Sequence, residues 1–185
     1  MLKPVRTSIL IFLSIFYAAL ASADALQGEK HIFLVDKKGN EIHIGDVNFH
    51  HSANETRYTL HMEHKRFKDF FLSMKEMKCL EGPELMCHLA YPYTQPNTVT
   101  SNDLSWLSHD LLFMFKKPTE FGANFWNGIY YHMQIDGEMI KGVAHAVDLN
   151  LLASPPDDLT TPPIHDGERD EIDPTLRWLP SIVIR

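Results

Sequence analysis

The chain lacks the short patterns that mark common chemistries. It has no Gly-x-Ser-x-Gly elbow and no glycine-rich phosphate loop, and its only cysteines, Cys79 and Cys87, read as a pair and not as a free nucleophile. These absences remove local support for nucleophilic catalysis, although dispersed Ser, His and Asp side chains can still converge in space. After residue 23 no stretch is long and apolar enough to span a bilayer. Cations are scarce too, with seventeen Lys and Arg against twenty-four Asp and Glu. Such a balance repels nucleic acid and anionic lipid, so neither is an expected partner.

What is present begins with an export signal. Lys3 and Arg6 form a positive n-region, residues 9–20 form a mostly apolar h-region, and Ala21-Ser22-Ala23 places small residues at the cleavage spacing. The rival, an uncleaved anchor, needs about 20 apolar residues, and this run is shorter. Cleavage after Ala21 or after Ala23 fits, and no cysteine follows either site to carry a lipid. The expectation is a signal peptide over 1–23 and one exported domain over 24–185, periplasmic or secreted, with no stable membrane insertion. Removing those 23 residues from 185 leaves 162 with a formal charge of −9, because Lys3 and Arg6 leave with the signal. All eleven histidines stay behind, and protonating them would carry that charge to about +2.

Export gives the cysteines a meaning. In an oxidising compartment Cys79 and Cys87 read as a disulfide, and Gly82-Pro83 lets the chain double back between them. Closing so short a loop stabilises by about 2.5 kcal/mol on the chain-entropy account. A redox pair would place its thiols closer together.

Hydrophobic alternation predicts strands over 31–35, 41–47 and 56–64, with Asp36 to Asn40 as a hairpin turn. Helical spacing of Phe67, Phe70, Phe71 and Met74 predicts a helix over 65–77. A strand over 85–91 follows, then a short helix capped by Asn102-Asp103 and a buried strand over 109–115. The clearest pair, 127–135 and 139–149, flanks the turn signal Asp136-Gly137. Between 154 and 177 prolines and acids predict an extended solvated loop, after which residues 182–184 return as an edge strand. The fold class is mainly β: one antiparallel curled sheet or small barrel of seven to nine strands with one or two short helices, α+β being the alternative.

Three strings invite a functional reading. Phe121 to Tyr131 interleaves five aromatics with glycines and amides, and Phe125, Trp126, Asn127, Tyr130 and Tyr131 are the candidate rim for a flat organic or sugar ligand. The bland alternative is a turn leading into a core strand, its aromatics plugging one end of a barrel. His61 and Glu63 share a strand face that His43 can reach from a neighbour, a candidate zinc or copper set whose alternative is ordinary solvent-facing polar residues on a sheet. The acids between 166 and 173 lack the EF-hand's spacing. Asn54-Glu55-Thr56 is a glycosylation sequon, meaningful only in a eukaryotic host. No cofactor is expected.

Taken together, Cys79-Leu80-Glu81, Cys87-His88, Tyr91-Pro92-Tyr93, Asp110-Leu111-Leu112-Phe113 and the 121–131 string give a chain that resembles a set of exported bacterial proteins of unknown function. The resemblance implies a bacterial envelope location and carries no activity, cofactor or catalytic residue. The resulting expectation is a non-catalytic module that binds a small ligand or an envelope protein. The alternative is an envelope enzyme acting on a carbohydrate or cell-wall substrate.

Overall fold

The computed structural model describes residues 25–52, 55–72 and 76–185. The signal segment, both cleavage sites, Asn54 of the sequon and Met74 lie outside the described residues. The remainder is mainly β. A single antiparallel sheet runs in the order β4 (Lys68–Phe71), β5 (Glu76–Glu81), β6 (Leu85–Leu89), β8 (Leu112–Lys116), β9 (Gly128–Asp136), β10 (Met139–Val147), β12 (Ser181–Ile184), β1 (Gly28–Val35), β2 (Glu41–Ser52), β3 (Glu55–Met62), β7 (Thr98–Val99), with β11 (Arg169–Glu171) pairing β10 off that path. The sheet curls without closing into a barrel, and its twelve strands exceed the seven to nine expected.

The hairpins form where the turn residues direct them. β1 (Gly28–Val35) and β2 (Glu41–Ser52) are joined by Asp36 to Asn40, where the Asp36 carboxylate accepts the Lys38 and Asn40 N–H groups. β2 pairs in turn with β3 (Glu55–Met62), which buries Thr56, Tyr58 and Met62 on one face and exposes Arg57, Thr59 and His61 on the other. β9 (Gly128–Asp136) and β10 (Met139–Val147) meet at Gly137-Glu138. Gly137 takes a φ of +63° there, a backbone region that side chains disfavour. On β10, Gly142 sits where a Cβ would meet Ile182 and Met133 within 2.7 Å, so the strand needs a residue without one.

β5 (Glu76–Glu81) and β6 (Leu85–Leu89) place Cys79 directly opposite Cys87, and the disulfide spans the pair. The turn between them is held from outside. Trp178 lies where any Cβ on Gly82 would be, its backbone N–H donates to Glu84 at 2.9 Å, and Arg177 stacks 3.6 Å over the Phe115 ring of β8 (Leu112–Lys116). That clamp anchors the end of the chain to the disulfide hairpin.

Further expectations fail, among them the start of the 109–115 strand, since His109 and Asp110 close a helix and the strand begins at Leu112. The expected helix over 65–77 does not form among the described residues: a 3-10 turn, His64–Arg66, leads into β4 (Lys68–Phe71), which pairs with β5. Phenylalanine suits a pleated half-buried surface, and cross-strand ion pairs Lys68–Glu81 and Asp69–Lys78 complete the match, so pairing overrides the 3.6-residue spacing. The last strand, β12 (Ser181–Ile184), is central and not an edge, lying between β10 and β1 with Ile182 and Ile184 buried. Pro180 is tolerated because it stops one residue short of the strand, where its carbonyl accepts the Ala144 N–H. The 154–177 segment is only partly solvated, since Ile164 is buried and β11 (Arg169–Glu171) joins the sheet.

Central strands are buried on both faces. One core gathers Ile32, Leu34, Ile44, Phe113, Tyr131 and Ile184 inside the curl; a second packs Cys79, Cys87, Met114, Tyr130 and Leu149 on the opposite side. α1 (Ser105–Asp110) brings Trp106 and Leu107 into the first core. Its start is held by the Asp103 carboxylate, which accepts the Ser105 N–H at 2.9 Å. Among the described residues no helix is long and apolar enough to cross a membrane.

Candidate functional site

Because the sheet stays open, the strand end at His88–Ala90 borders two hollows. The first, about 770 Å³, lies beside β3 and is lined by Tyr58, His61, His64, His88, Asn97 and Asp110, among others. The second, about 520 Å³, is walled by Met77, Leu89, Pro92, Leu149 and Leu152, with Phe125 at its lip.

Asp110 is the chemical centre of the first hollow. It ends α1, and its carboxylate accepts the Tyr58 hydroxyl at 2.7 Å and the Gln95 side-chain amide, with Asn97 at 3.5 Å. His88 donates from Nε2 to the Asp110 backbone carbonyl at 2.8 Å, which fixes that ring's tautomer. Burial lifts the Asp110 carboxyl from its ordinary 3.8 to about 6, and the hydroxyl and amide donors offset only part of that rise. Burial is also the main force raising the Tyr58 phenol, with the Asp110 charge next. At His88 burial depresses the imidazole, so the ring is held neutral.

Its neighbour His109 has a different task. This fully buried ring donates from Nδ1 to the Ser105 carbonyl at 2.7 Å and accepts the Ile164 N–H on Nε2 at 3.1 Å. Burial lowers it to about 4. With both nitrogens satisfied, His109 fastens the 154–177 segment to α1.

The second hollow is shaped by the aromatic string. The Phe125 carbonyl accepts the Leu149 N–H at 2.9 Å, tying the 121–127 loop to the 3-10 turn Leu149–Leu152. Tyr93 braces the same turn from the far side by donating to the Leu152 carbonyl at 2.8 Å. Of the five predicted rim residues, Phe125 is 36 % exposed and Trp126 72 %, whereas Tyr130 and Tyr131 are buried. Tyr131 donates to the Leu179 carbonyl inside the first core, and Tyr130 lies in the second core under the Arg169 guanidinium. Asn127 works through its backbone, its carbonyl accepting the Phe115 N–H. The five residues therefore divide. Phe125 reaches the hollow, Trp126 faces solvent, and the two tyrosines face opposite sides of β9 because adjacent strand residues must.

The predicted metal set also divides. β3 ends at Met62, and the Glu63 carboxylate turns to accept the Lys65 N–H at the start of the 3-10 turn. His61 stays exposed on β3, while His43 points to Asp46 and His31. Sequence reading passed over both of those residues, and it passed over Asp110 as a site. A buried polar residue at a helix end carries no local mark of its partners.

Comparison with protein-family models, curated proteins and solved structures finds no match for this chain.

Proposed function

We propose that the protein is an exported, non-catalytic binding module of the bacterial envelope, periplasmic or secreted, that takes a small, mainly apolar ligand beside Phe125. The observation carrying this reading is the hollow itself. Its 520 Å³ falls in the range of about 300–1,000 Å³ typical of ligand sites, and apolar walls with a few polar groups at Glu76, Lys78, His88 and Asn150 suit such a ligand. Export is supported by the n-region, h-region and small-residue order of the first 23 residues and by the disulfide that an oxidising compartment permits.

The reading is tested with an apolar fluorescent probe, anilinonaphthalene sulfonate, titrated into the native protein. Wild type is expected to bind it saturably, and Leu152→Arg, which puts a guanidinium into the hollow, is expected to weaken binding about tenfold or more. Absence of saturable binding, or a Leu152→Arg protein that binds equally well, overturns it.

The alternative, an envelope enzyme acting on a carbohydrate or cell-wall substrate, has its support in Asp110. A carboxyl raised to about 6 in a cleft suits a general acid. Glycoside hydrolysis ordinarily uses two carboxylates, and each hollow is lined by one, Asp110 or Glu76. Hydrolysis of cell-wall fragments that disappears in Asp110→Asn would favour this alternative over binding alone.

A further inference from the structure

On the outer face of the sheet three metal-ligating side chains meet on β1 and β2. Asp46 Oδ1 lies 2.6 Å from His31 Nδ1 and 2.9 Å from His43 Nε2, and the three donor atoms all lie within 4.8 Å of one another. The backbone explains how they come together. His31 and Asp46 are direct cross-strand partners. His43 and Asp46 are three residues apart, and in a regular strand that spacing sends side chains to opposite faces. Between Ile32 and Phe33 the register shifts: Ile32 faces Gly45 and Phe33 faces His43, leaving Ile44 as the extra residue of a β-bulge. The bulge turns Ile44 into the core and puts His43 back on the face of Asp46.

The surroundings hold this arrangement. The Phe33 ring lies 5.4 Å from that of His43, which in turn stands edge-on to His31 at 5.4 Å. Gly45 lets β3 approach closely, since a Cβ there would sit 2.4 Å from the His61 carbonyl. The nearby cation, Arg185, is engaged by the Glu41 carboxylate through two 2.7 Å hydrogen bonds while stacking on Phe33. Its charge is thereby balanced away from Asp46.

We infer that His31, His43 and Asp46 form a binding site for a first-row divalent transition ion of the zinc class. Two imidazoles and one carboxylate are the donor set such ions take at about 2.0–2.2 Å, which spaces neighbouring donors about 3.3 Å apart in a tetrahedron. Reaching that spacing opens the two Asp46 contacts by less than about 1 Å and brings the ring nitrogens, which lie within 4.8 Å of one another, to a like separation through side-chain rotations at an exposed His31. Both imidazoles release the proton on the ligating nitrogen as the ion enters. Three protein ligands leave the fourth position to water or to an incoming donor. On β3, His61 is the cross-strand partner of Asp46 and shares its face of the sheet.

Zn²⁺ titrated into tag-free protein by calorimetry and equilibrium dialysis tests the site, with Cu²⁺ in parallel and Ca²⁺ as the control. One Zn²⁺ per chain is expected. His31→Ala, His43→Ala and Asp46→Asn should each weaken it about tenfold or more, while a His132→Ala/His145→Ala protein keeps it. Because these variants alter folding only if the bulge is disturbed, circular dichroism accompanies them, and histidine ¹⁵N shifts of the wild type supply a readout without mutation. Shifts at His31 Nδ1 and His43 Nε2 on adding Zn²⁺ support the site. Zn²⁺ uptake no greater than that of Ca²⁺, uptake unchanged in all three variants, or loss with His132 and His145 instead overturns it.

Discussion

Asp46 accepts hydrogen bonds from two side chains and Asp110 from three, yet the protein moves them in opposite directions. At both, burial is the largest influence and pushes the carboxyl up. At Asp46 the hydrogen bonds and positive charge of His31 and His43 outweigh it, and the carboxyl stays below its ordinary value. At Asp110 the donors are a phenol and two amides, which bring no charge, and burial is deeper, so the carboxyl rises to about 6. The number of donors therefore does not set the charge state. Solvent and the donors' own charge do. The outer carboxylate suits a cation, and the inner carboxyl suits holding a proton.

The largest expected effect lies at Asp110. Its folded value is raised, so its stabilising contribution is complete below about pH 4 and is lost as pH rises through about 6. His109 works oppositely: lowered to about 4, it contributes fully above about 6.5 and loses that contribution as pH falls through about 4. Wild-type stability mixes the two, so the comparison is with Asp110→Asn, which keeps the shape without the titration. Between pH 4.5 and 7.5 the variant should gain on wild type by on the order of 2 kcal/mol in urea unfolding. A constant difference across that range would end the claim for the inner carboxyl.

A smaller effect is expected from Tyr58→Phe, about 1 kcal/mol of lost stability at neutral pH from one hydrogen bond. It should also move Asp110 further above 6, read by carboxyl ¹³C NMR, because a donor to the charged form has gone. An Asp110 that titrates unchanged would mean that the phenol does not influence it.

The smallest effect is at the outer site. Without metal, Asp46→Asn should change stability by less than about 0.5 kcal/mol, as exposed and half-exposed pairs usually do. A loss several times larger would show that the cluster holds the bulge together rather than standing ready for a cation.

These contrasts mark how far the sequence could be read. The hairpins at 36–40 and 136–138 and the disulfide were legible, because turn residues and an isolated cysteine pair act over a few positions. The 65–77 segment was misread, since its aromatic spacing satisfies a helix and an amphipathic strand pair alike until β5 offers an edge. Phe125 was singled out and does border a hollow, whereas Tyr130 and Tyr131 were not separable from it, adjacent letters carrying no sign of which side is covered. His43 was picked out with His61 and Glu63, whereas the structure gathers it with His31 and Asp46, because a bulge that reverses strand phase leaves no mark in the spacing itself.

By itself, the sequence determined the mainly β class, the positions of the tight turns and the cross-linked pair, all consequences of local period and local backbone freedom. Only the tertiary structure decided that the last strand would fill the centre of the sheet, since strand order depends on which edges remain open after the hairpins form. It alone also decided that one aspartate would meet two imidazoles in solvent while another was enclosed by a phenol and two amides. Charge state and ligand geometry belong to the surroundings of a side chain, and residues far apart in the chain make those surroundings.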